Sequence, residues 1–321
     1  MLAVYAQSMN PDDPLSGLAV GERPEPVPAE GWATVSVRAA SLNHHDVWSL
    51  KGVGLDEGRL PMILGADAAG VDAEGNEVIV HSVIPSDDWL GDETLDPGRS
   101  LLSEKHQGTL AERVVVPRRN LVPKPPELSW AEAACLPTAW LTAYRMLFSR
   151  GNVRPGQTVL VQGAGGGVAT ALIVLGTRAG ARVWVTSRSE SGRELALSLG
   201  ADAAFESGAR LPERVDWVME TVGRATWSHS MKSLKPGGSV VISGATSGDA
   251  TPAQLSRVFF LQLSVIGSTM GTRSELEQLI RFCVERDIRP VIDRELPLSQ
   301  AREGFSAMAS GDIHGKIVFT I

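Results

Sequence analysis

The sequence TVLVQGAGGGVATALIVLG, residues 158–176, decides the fold. Its first part, Thr158–Gln162, is a continuous apolar run, which is typical of a strand buried on both faces of a parallel sheet. A glycine-rich turn follows, and from Val168 to Leu175 apolar residues recur at the spacing of one helix face. Gly180 is a suitable helix end. The stretch therefore predicts a strand, a tight loop and a helix in succession.

The residues that follow continue to alternate between strands and helices, over roughly 110 residues in all. The further strands that the pattern predicts are Ala181–Thr186, Val215–Glu220, Ser239–Ser243 and Ser264–Ser268. This alternation predicts an α/β fold with a doubly wound parallel sheet of the Rossmann type. In such a sheet ligands bind at the carboxyl ends of the strands.

The two ends of the chain are β-rich instead. Short runs between turn residues predict the strands Ala33–Arg38, Gly70–Asp72, Glu77–His81 and Leu110–Val116. Between His81 and Leu110 the sequence is polar and rich in Gly and Asp, which indicates a long surface excursion. Ser129, with Glu132 three residues later, predicts a helix start. The tail, Leu298–Ile321, ends in the β-run KIVFTI, which we expect to rejoin the first domain.

Composition excludes several classes of protein. The 321 residues include 30 Lys and Arg against 37 Asp and Glu, a formal net charge of −7. This acidic balance argues against nucleic-acid and anionic-membrane partners, and no apolar run approaches the roughly 18 residues of a membrane span. Cys135 and Cys283 cannot form a disulfide framework or a four-thiolate zinc site. Because the N-terminus also shows no secretory signal, we expect a cytoplasmic protein.

The glycine-rich loop has the features of a dinucleotide-binding turn. Its spacing, Ala164-x-Gly166-x-x-Ala169, replaces two of the usual three glycines by alanine. Glycines let the backbone approach a pyrophosphate, and the helix N-terminus offers it free N–H groups. The alternative is a turn with a purely structural role. The residues that we expect at the cofactor are Ala164, Gly165, Gly166, Gly167 and Val168.

The end of the second strand indicates which cofactor is bound. A site that prefers NAD places a carboxylate there for the ribose hydroxyls. This chain has Ser187, Arg188 and Ser189 instead. The Arg188 guanidinium can bind a 2′-phosphate through two parallel N–H bonds, and the serines can add hydroxyl donors. The sequence therefore predicts NADPH, with a merely solvated arginine as the alternative.

From end to end the chain resembles the medium-chain dehydrogenase/reductase superfamily. The matching motifs, in chain order, are SLNHHDVW, PMILGADAAG, EGNEVIVH, GTLAERVVVP, LPTAWLTAYRML, VQGAGGGVA, DWVMETVG, LKPGGSVVISG, IGSTMG and GKIVFTI. The resemblance implies a GroES-like catalytic domain over residues 1–124, completed by 271–321. It also implies a Rossmann domain over 125–270 and a substrate cleft at the junction of the two.

Both zinc sites of the superfamily's alcohol dehydrogenases lose their expected ligands here. The first cysteine ligand is replaced by Asn43, the histidine by Ala66, and the third position falls in Leu136–Thr138. The stretch Pro85–Lys105, where the structural zinc lobe is expected, contains no cysteine. The chain therefore resembles the zinc-independent quinone oxidoreductase branch and related enoyl reductases, and we expect no metal. A non-standard metal site is the alternative, with His44, His45, Asp46, Asp67, His81 and His106 as possible ligands.

Without a metal as Lewis acid, the substrate should be an acceptor that is already electron-poor. We therefore expect hydride transfer from NADPH to a quinone or an α,β-unsaturated carbonyl. Asn43 is a candidate hydrogen-bond donor, or else a residue that ends a strand. His45 is a candidate proton donor, or a buried structural histidine. Trp48 stands where quinone reductases often have a tyrosine, and the role of Asp67 is open. We expect Asp46 to fix the loop rather than to react.

Further cofactor contacts are expected from residues that follow the strand ends, or that match positions of relatives. At the strand ends these are Thr221, Val222, Ser243, Gly244, Ala245, Ser268, Thr269 and Met270. The resemblance adds Thr142 and Lys316, for which a helix residue bonding its own backbone and a solvated lysine are the alternatives.

Two other functions stay open on the sequence alone. One is an alcohol or aldehyde dehydrogenase with a non-standard metal site, and the other is an NADPH-binding sensor or structural paralogue without turnover. The expected partner is a small electrophilic acceptor. Relatives are commonly dimers or tetramers joined through the last Rossmann strand, and the apolar segment Phe259–Gly267 fits a homodimer or homotetramer.

Overall fold

The computed structural model describes residues 1–311 and 313–321, and the chain divides into two compact units. Met1–Leu141 and Gly271–Ile321 form the first unit, and Thr142–Met270 form the second. The first division therefore falls later than the boundary expected after residue 124. The reason is that the helix Trp130–Ala134 packs on strands of the first unit.

The strands of the described residues are β1 (Leu2–Ala6), β2 (Leu18–Glu22), β3 (Trp32–Ser41), β4 (Met62–Ile63), β5 (Asp67–Asp72), β6 (Glu77–Val80), β7 (Val83–Ile84), β8 (Ser100–Leu101), β9 (Arg113–Pro117), β10 (Leu121–Pro123), β11 (Thr158–Gln162), β12 (Arg182–Ser187), β13 (Ala203–Glu206), β14 (Val215–Glu220), β15 (Leu234–Ile242), β16 (Ser264–Gly267), β17 (Ile292–Pro297) and β18 (Lys316–Thr320). The α-helices are α1 (His44–Leu50), α2 (Trp130–Ala134), α3 (Leu141–Tyr144), α4 (Gly167–Arg178), α5 (Glu190–Ser198), α6 (Trp227–Ser233), α7 (Leu255–Phe260), α8 (Arg273–Glu285) and α9 (Ala301–Ser310). Short 3₁₀ turns and two π-helical stretches, Leu136–Trp140 and Arg145–Arg150, complete the chain. None of these helices is both long and apolar enough to cross a membrane.

The second unit is built on a six-stranded, wholly parallel sheet. Its strand order is β13-β12-β11-β14-β15-β16. The order reverses direction at β11, so the carboxyl ends of β11 and β14 border the crevice where open α/β sheets bind their ligands. The predicted Rossmann sheet is confirmed. Strands β11 and β14 have the bounds that the sequence predicts. Every residue of β11 is buried, whereas β14 also carries the acidic residues Asp216 and Glu220.

The first unit is built on a seven-stranded sheet in which both chain ends meet. The order is β10-β6-β5-β3-β18-β17, and β9 also pairs with β3. Strand β18 pairs antiparallel with β3, so the tail does rejoin the first domain. This register sets Ser41 beside Asp67 on one side and Val318 on the other. Asp67 and Lys316 are therefore brought together across the end of β3.

Candidate functional site

The glycine-rich loop of the second unit leaves open space where a pyrophosphate is expected. Gly163 has a φ of +88°, a conformation that favours glycine, and α4 begins four residues later. A Cβ added to Gly166 would meet no atom of the described residues within 4 Å. No described side chain caps α4, so the backbone N–H groups of its first turn have no side-chain acceptor. These observations fit a phosphate-binding cradle.

The loops after β11 and β14 lie side by side. A Cβ on Gly163 would sit 3.7 Å from Val222 Cγ2, and Gly163 and Val222 are both only half-buried. The loop after β15 joins this edge, since the backbone N–H of Ser247 donates to the Val222 carbonyl at 2.7 Å. Five predicted cofactor contacts thus lie at one sheet edge: Thr221, Val222, Ser243, Gly244 and Ala245. Three others, Ser268, Thr269 and Met270, follow β16. The remaining one, Thr142, is buried on α3.

At the end of β12 the structure leaves the arginine available. Arg188 is exposed, and Ser187 is half-buried. The hydroxyl of Ser189 accepts the Gly192 N–H and so caps α5. Arg193 also lies here, because one of its nitrogens donates to the Ser187 carbonyl at 3.1 Å. Sequence reasoning missed Arg193, although an arginine in the first turns of the helix after β12 was a usable signal.

A buried polar cluster of the first unit joins Lys316 to Asn43, which replaces the superfamily's first cysteine ligand, and to Asp67, one of the alternative metal ligands. The ammonium of Lys316 donates to the Leu42 carbonyl at 2.8 Å, to Asn43 Oδ1 at 2.7 Å and, more weakly, to Asp67 Oδ2 at 3.4 Å. Asp67 Oδ2 also accepts hydrogen bonds from Asn43 Nδ2 and from Ser41 Oγ, both at 2.8 Å. Lys316 is 2% exposed and Asp67 is fully buried, so the charges of the pair are shielded from water.

Two residues that were predicted for other contacts take part in the hydrogen bonds of this cluster. Lys316, expected at the cofactor, gives its hydrogens to protein oxygens. The amide hydrogens of Asn43 are directed at Asp67 Oδ2 and, at 3.4 Å, at the Ser41 carbonyl. The short hydrogen bond of Asn43 therefore holds Asp67, and the contact with the Ser41 carbonyl is long. By contrast, Asp67 Oδ1 is buried and has no hydrogen-bond partner among the described residues.

Asp46 fixes the loop, as expected. Its Oδ2 accepts the Asn43 N–H at 2.9 Å, and its Oδ1 accepts the Gly65 N–H at 2.8 Å. Burial raises the pKa of the Asp46 carboxyl, although these hydrogen bonds and the neighbouring His45 act in the opposite direction. The residue thus ties the start of α1 to the turn before β5, and with it the position of Asn43.

His45 lies on α1 and pairs with a carboxylate that sequence reasoning missed. Its Nε2 is 2.8 Å from Glu104 Oε1, and its Nδ1 is 3.5 Å from Ser103 Oγ. Burial alone would lower the pKa of His45, but the hydrogen bond to Glu104 and the charges of Asp46, Glu104 and Asp67 together raise it. No signal in the sequence pointed to Glu104, which lies 59 residues from its partner in the polar excursion. Trp48 is half-buried on the same helix.

The alternative metal ligands are not brought together. Across residues 1–311 and 313–321, no three His, Cys, Asp or Glu side chains form a group that could hold a metal. His81 lies 2.9 Å from the Gly271 carbonyl, and His106 lies 3.0 Å from Ser100 Oγ. His44 is exposed. Burial raises the pKa of the Cys135 thiol to about 12, so it is a neutral core side chain at physiological pH.

Comparison with known proteins agrees with both units. Residues 29–126 match the alcohol dehydrogenase GroES-like domain, and residues 167–285 match the zinc-binding dehydrogenase domain. A zinc-type alcohol dehydrogenase-like protein of Schizosaccharomyces pombe is 30% identical over 91% of each chain. A 2-methylene-furan-3-one reductase of Solanum lycopersicum is 32% identical, over 90% of this chain and 71% of its own length.

A solved structure described as an NAD-dependent alcohol dehydrogenase is also similar. It superposes with a TM-score of 0.92 at 35% sequence identity, and the match covers all of both chains. The parallel sheet, the GroES-like domain, the two domain matches and these relatives lead to one conclusion: the chain belongs to the medium-chain dehydrogenase/reductase superfamily.

Proposed function

We propose that the protein is an NADPH-dependent, zinc-independent reductase that transfers hydride to α,β-unsaturated carbonyls or quinones. The observation that carries this proposal is the buried ammonium of Lys316 beside Asn43 and Asp67. A zinc ion ligated by Asn43 or Asp67 would have this second cation as a buried neighbour, and like charges repel strongly where water does not screen them. The positive charge near these residues is thus supplied by the chain itself.

The proposed cofactor follows from the second unit. NADPH, when bound, supplies the hydride. Its pyrophosphate would be held by the open loop at Gly166 and the first turn of α4, and its 2′-phosphate by Arg188 with Ser187. A carboxylate that would repel that phosphate does not occur at residues 187–189. This reading favours NADPH even though the structural neighbour is described as NAD-dependent.

The proposed substrate class follows from the chemistry that these groups allow. Hydride addition to the β-carbon of an unsaturated carbonyl gives an enolate, which then takes a proton at its α-carbon. The imidazolium of His45 is suited to donate that proton from Nδ1, whose contact with Ser103 Oγ is long at 3.5 Å, while Glu104 holds Nε2. The name of the tomato relative, a 2-methylene-furan-3-one reductase, describes a substrate with such a conjugated carbonyl. An unactivated ketone would instead need a Lewis acid.

The test is NADPH oxidation across a panel of enones, quinones, ketones and aldehydes, with metal content measured on the same chelator-washed sample. We expect turnover of enones or quinones, no stoichiometric metal, and tighter binding of NADPH than of NADH. Arg188→Ala should remove most of that preference, whereas Arg178→Ala, which changes an exposed arginine at the other end of α4, should keep it.

Each alternative has its own signature in this experiment. One metal per chain with alcohol oxidation would establish a dehydrogenase with a non-standard metal site. Normal NADPH binding without acceptor-dependent oxidation would establish a sensor or structural paralogue. Equal or tighter binding of NADH would show that the assignment of Ser187 and Arg188 is wrong.

A further inference from the structure

Glu220 is a buried carboxylate that the proposed reaction does not use. It is the last residue of β14 and has no exposed surface. No described Lys, Arg or His forms an ion pair with it, so its charge is not neutralised by a cation. A buried carboxylate in this situation must be stabilised by hydrogen-bond donors.

Four donors converge on this carboxylate. Oε1 accepts the backbone N–H groups of Val222 at 2.8 Å and Gly223 at 3.0 Å. The Thr226 hydroxyl lies 2.8 Å from Oε1 and 3.0 Å from Oε2, and the Ser230 hydroxyl donates to Oε2. Two of the donors belong to the loop expected at the cofactor, and the other two belong to the start of α6 and its first residues.

The hydrogen bonds continue from Glu220 to the neighbouring strands. Because the Ser230 hydroxyl donates to Glu220, its oxygen is free to accept Gln162 Nε2 at 2.9 Å. The second Nε2 hydrogen of Gln162 points at His229 Nδ1, also at 2.9 Å, and Gln162 Oε1 accepts the Thr186 hydroxyl. The donor and acceptor roles of Ser230 and Gln162 are therefore mutually consistent. The network connects the carboxyl ends of β14, β11 and β12 beneath the predicted cofactor edge.

We propose that Glu220 is a positioning residue for the nicotinamide half of the cofactor, an inference that rests on the proposed function. Glu220 accepts the N–H groups of Val222 and Gly223, and these hydrogen bonds direct the backbone N–H groups of the loop towards the buried carboxylate. The Val222 carbonyl consequently faces the loop after β15, where it accepts both the N–H and the hydroxyl of Ser247 at 2.7 Å. In a doubly wound sheet these two loops border the second mononucleotide, whereas β12 borders the adenosine half.

A carboxylate with a merely structural role would affect both halves of the cofactor site equally. The chain offers a matched control for this alternative. Asp216 lies on the same strand, at its other end, and is also bound by a backbone N–H, that of Thr158 at 2.8 Å, and by Lys235 at 2.9 Å. Asp216→Asn should therefore perturb β14 without reaching the carboxyl edge. Glu220→Gln replaces one acceptor oxygen by an amide nitrogen that faces hydroxyl donors, and it removes the charge that orders the loop.

The experiment compares these two variants with the wild type in binding NADPH and 2′,5′-ADP, which lacks the nicotinamide half. For Glu220→Gln we expect NADPH to bind about tenfold more weakly and 2′,5′-ADP to change by less than about twofold. Hydrogen exchange at the Val222 and Gly223 amides should accelerate in the same variant. Asp216→Asn should change neither affinity by more than about twofold at a temperature where all three proteins are folded.

Other outcomes separate the inference from the function on which it rests. Unchanged NADPH affinity in folded Glu220→Gln, or an equal loss of both ligands, would overturn the positioning role. If Glu220→Gln does not fold, Ser230→Ala removes one donor to Glu220, together with the acceptor of Gln162 Nε2, and should weaken NADPH binding in the same selective way. The absence of a selective loss would again overturn the role. A wild-type protein that binds neither ligand would instead refute the proposed function.

Discussion

At the residue scale, burial and a carboxylate partner act in opposite directions on the imidazole of His45. Desolvation disfavours the charged ring, but the hydrogen bond to Glu104 at 2.8 Å, with the charges of Asp46, Glu104 and Asp67, raises the pKa above its ordinary value of 6.5. The raised pKa keeps the ring protonated to higher pH. Any step that uses the imidazolium as acid is therefore most available at low pH and is lost as the pH rises through the raised pKa.

The raised pKa of His45 predicts a pH dependence of the reaction. In the wild type, kcat/KM for reduction should fall along an alkaline limb whose apparent pKa lies above 6.5. Glu104→Gln removes the charge and the strong acceptor, so the limb should move to lower pH. Glu127→Gln, which changes an exposed carboxyl elsewhere in the first unit, should leave it in place. A limb that does not move in Glu104→Gln would belong to a group other than His45.

At the element scale, the junction of β11 and α4 predicts that folding and cofactor binding can be separated. Gly166 has a φ of −74°, which any residue adopts, and a Cβ there meets open space. We expect Gly166→Ala to lower the free energy of unfolding by no more than about 1 kcal/mol, since alanine is a poorer N-cap than glycine but its methyl group meets no described atom. The methyl group would nevertheless occupy the space of the pyrophosphate, so NADPH should bind roughly tenfold more weakly.

Calorimetric titration and urea unfolding of the same samples check this prediction. Gly21→Ala is the control, because its Cβ would touch only Tyr5 Oη, at 3.8 Å, in the first unit. Wild-type affinity in Gly166→Ala would mean that the cofactor does not approach this loop closely, and a large loss of stability would mean that the glycine has a packing role.

The elements also show which parts of the fold a sequence pattern can predict. A buried parallel strand such as β11 is recognisable because a short apolar run, bounded by turn residues, allows few other structures. The capping box of α2 is equally local, and Ser129 and Glu132 form it as expected. By contrast, β1, the middle strand of a three-stranded sheet, and β13, an edge strand, are short, and neither is among the predicted strands. They form because partners distant in sequence supply their hydrogen bonds, which a local pattern does not contain.

The same limit applies to the candidate site. Asn43, Asp67 and Lys316 could each be singled out from a motif, but only the pairing of β3 with β5 and β18 reveals that they hydrogen-bond to one another. This pairing gives Asn43 and Lys316 hydrogen-bond partners that no motif indicates. Glu104 had no motif at all. Residues that form local turns are thus predictable from sequence. Ion pairs between strands that are distant in sequence depend on how those strands are aligned, which a local pattern does not contain.

At the scale of the whole molecule, the second unit carries an apolar surface at the end of its sheet. Leu255, Phe259 and Phe260 are 70%, 61% and 77% exposed, and Val265 of β16 is 49% exposed. Among the described strands β16 pairs only with β15, so one edge of it is left without hydrogen-bond partners. An exposed apolar patch beside an unpaired strand edge is characteristic of an interaction surface.

We propose that a second copy of the chain covers this surface, because a two-fold axis at β16 lets each copy supply the same unpaired edge and the same phenylalanines to the other. Phe260→Asp places a charge in that contact and should lower the mass in solution from a dimer or tetramer towards the monomer, measured by light scattering after size exclusion. Leu90→Asp is the control, since Leu90 is 99% exposed and belongs to the first unit. A wild-type protein that is monomeric at micromolar concentration, or a Phe260→Asp variant with unchanged mass, would exclude this surface as the contact between copies.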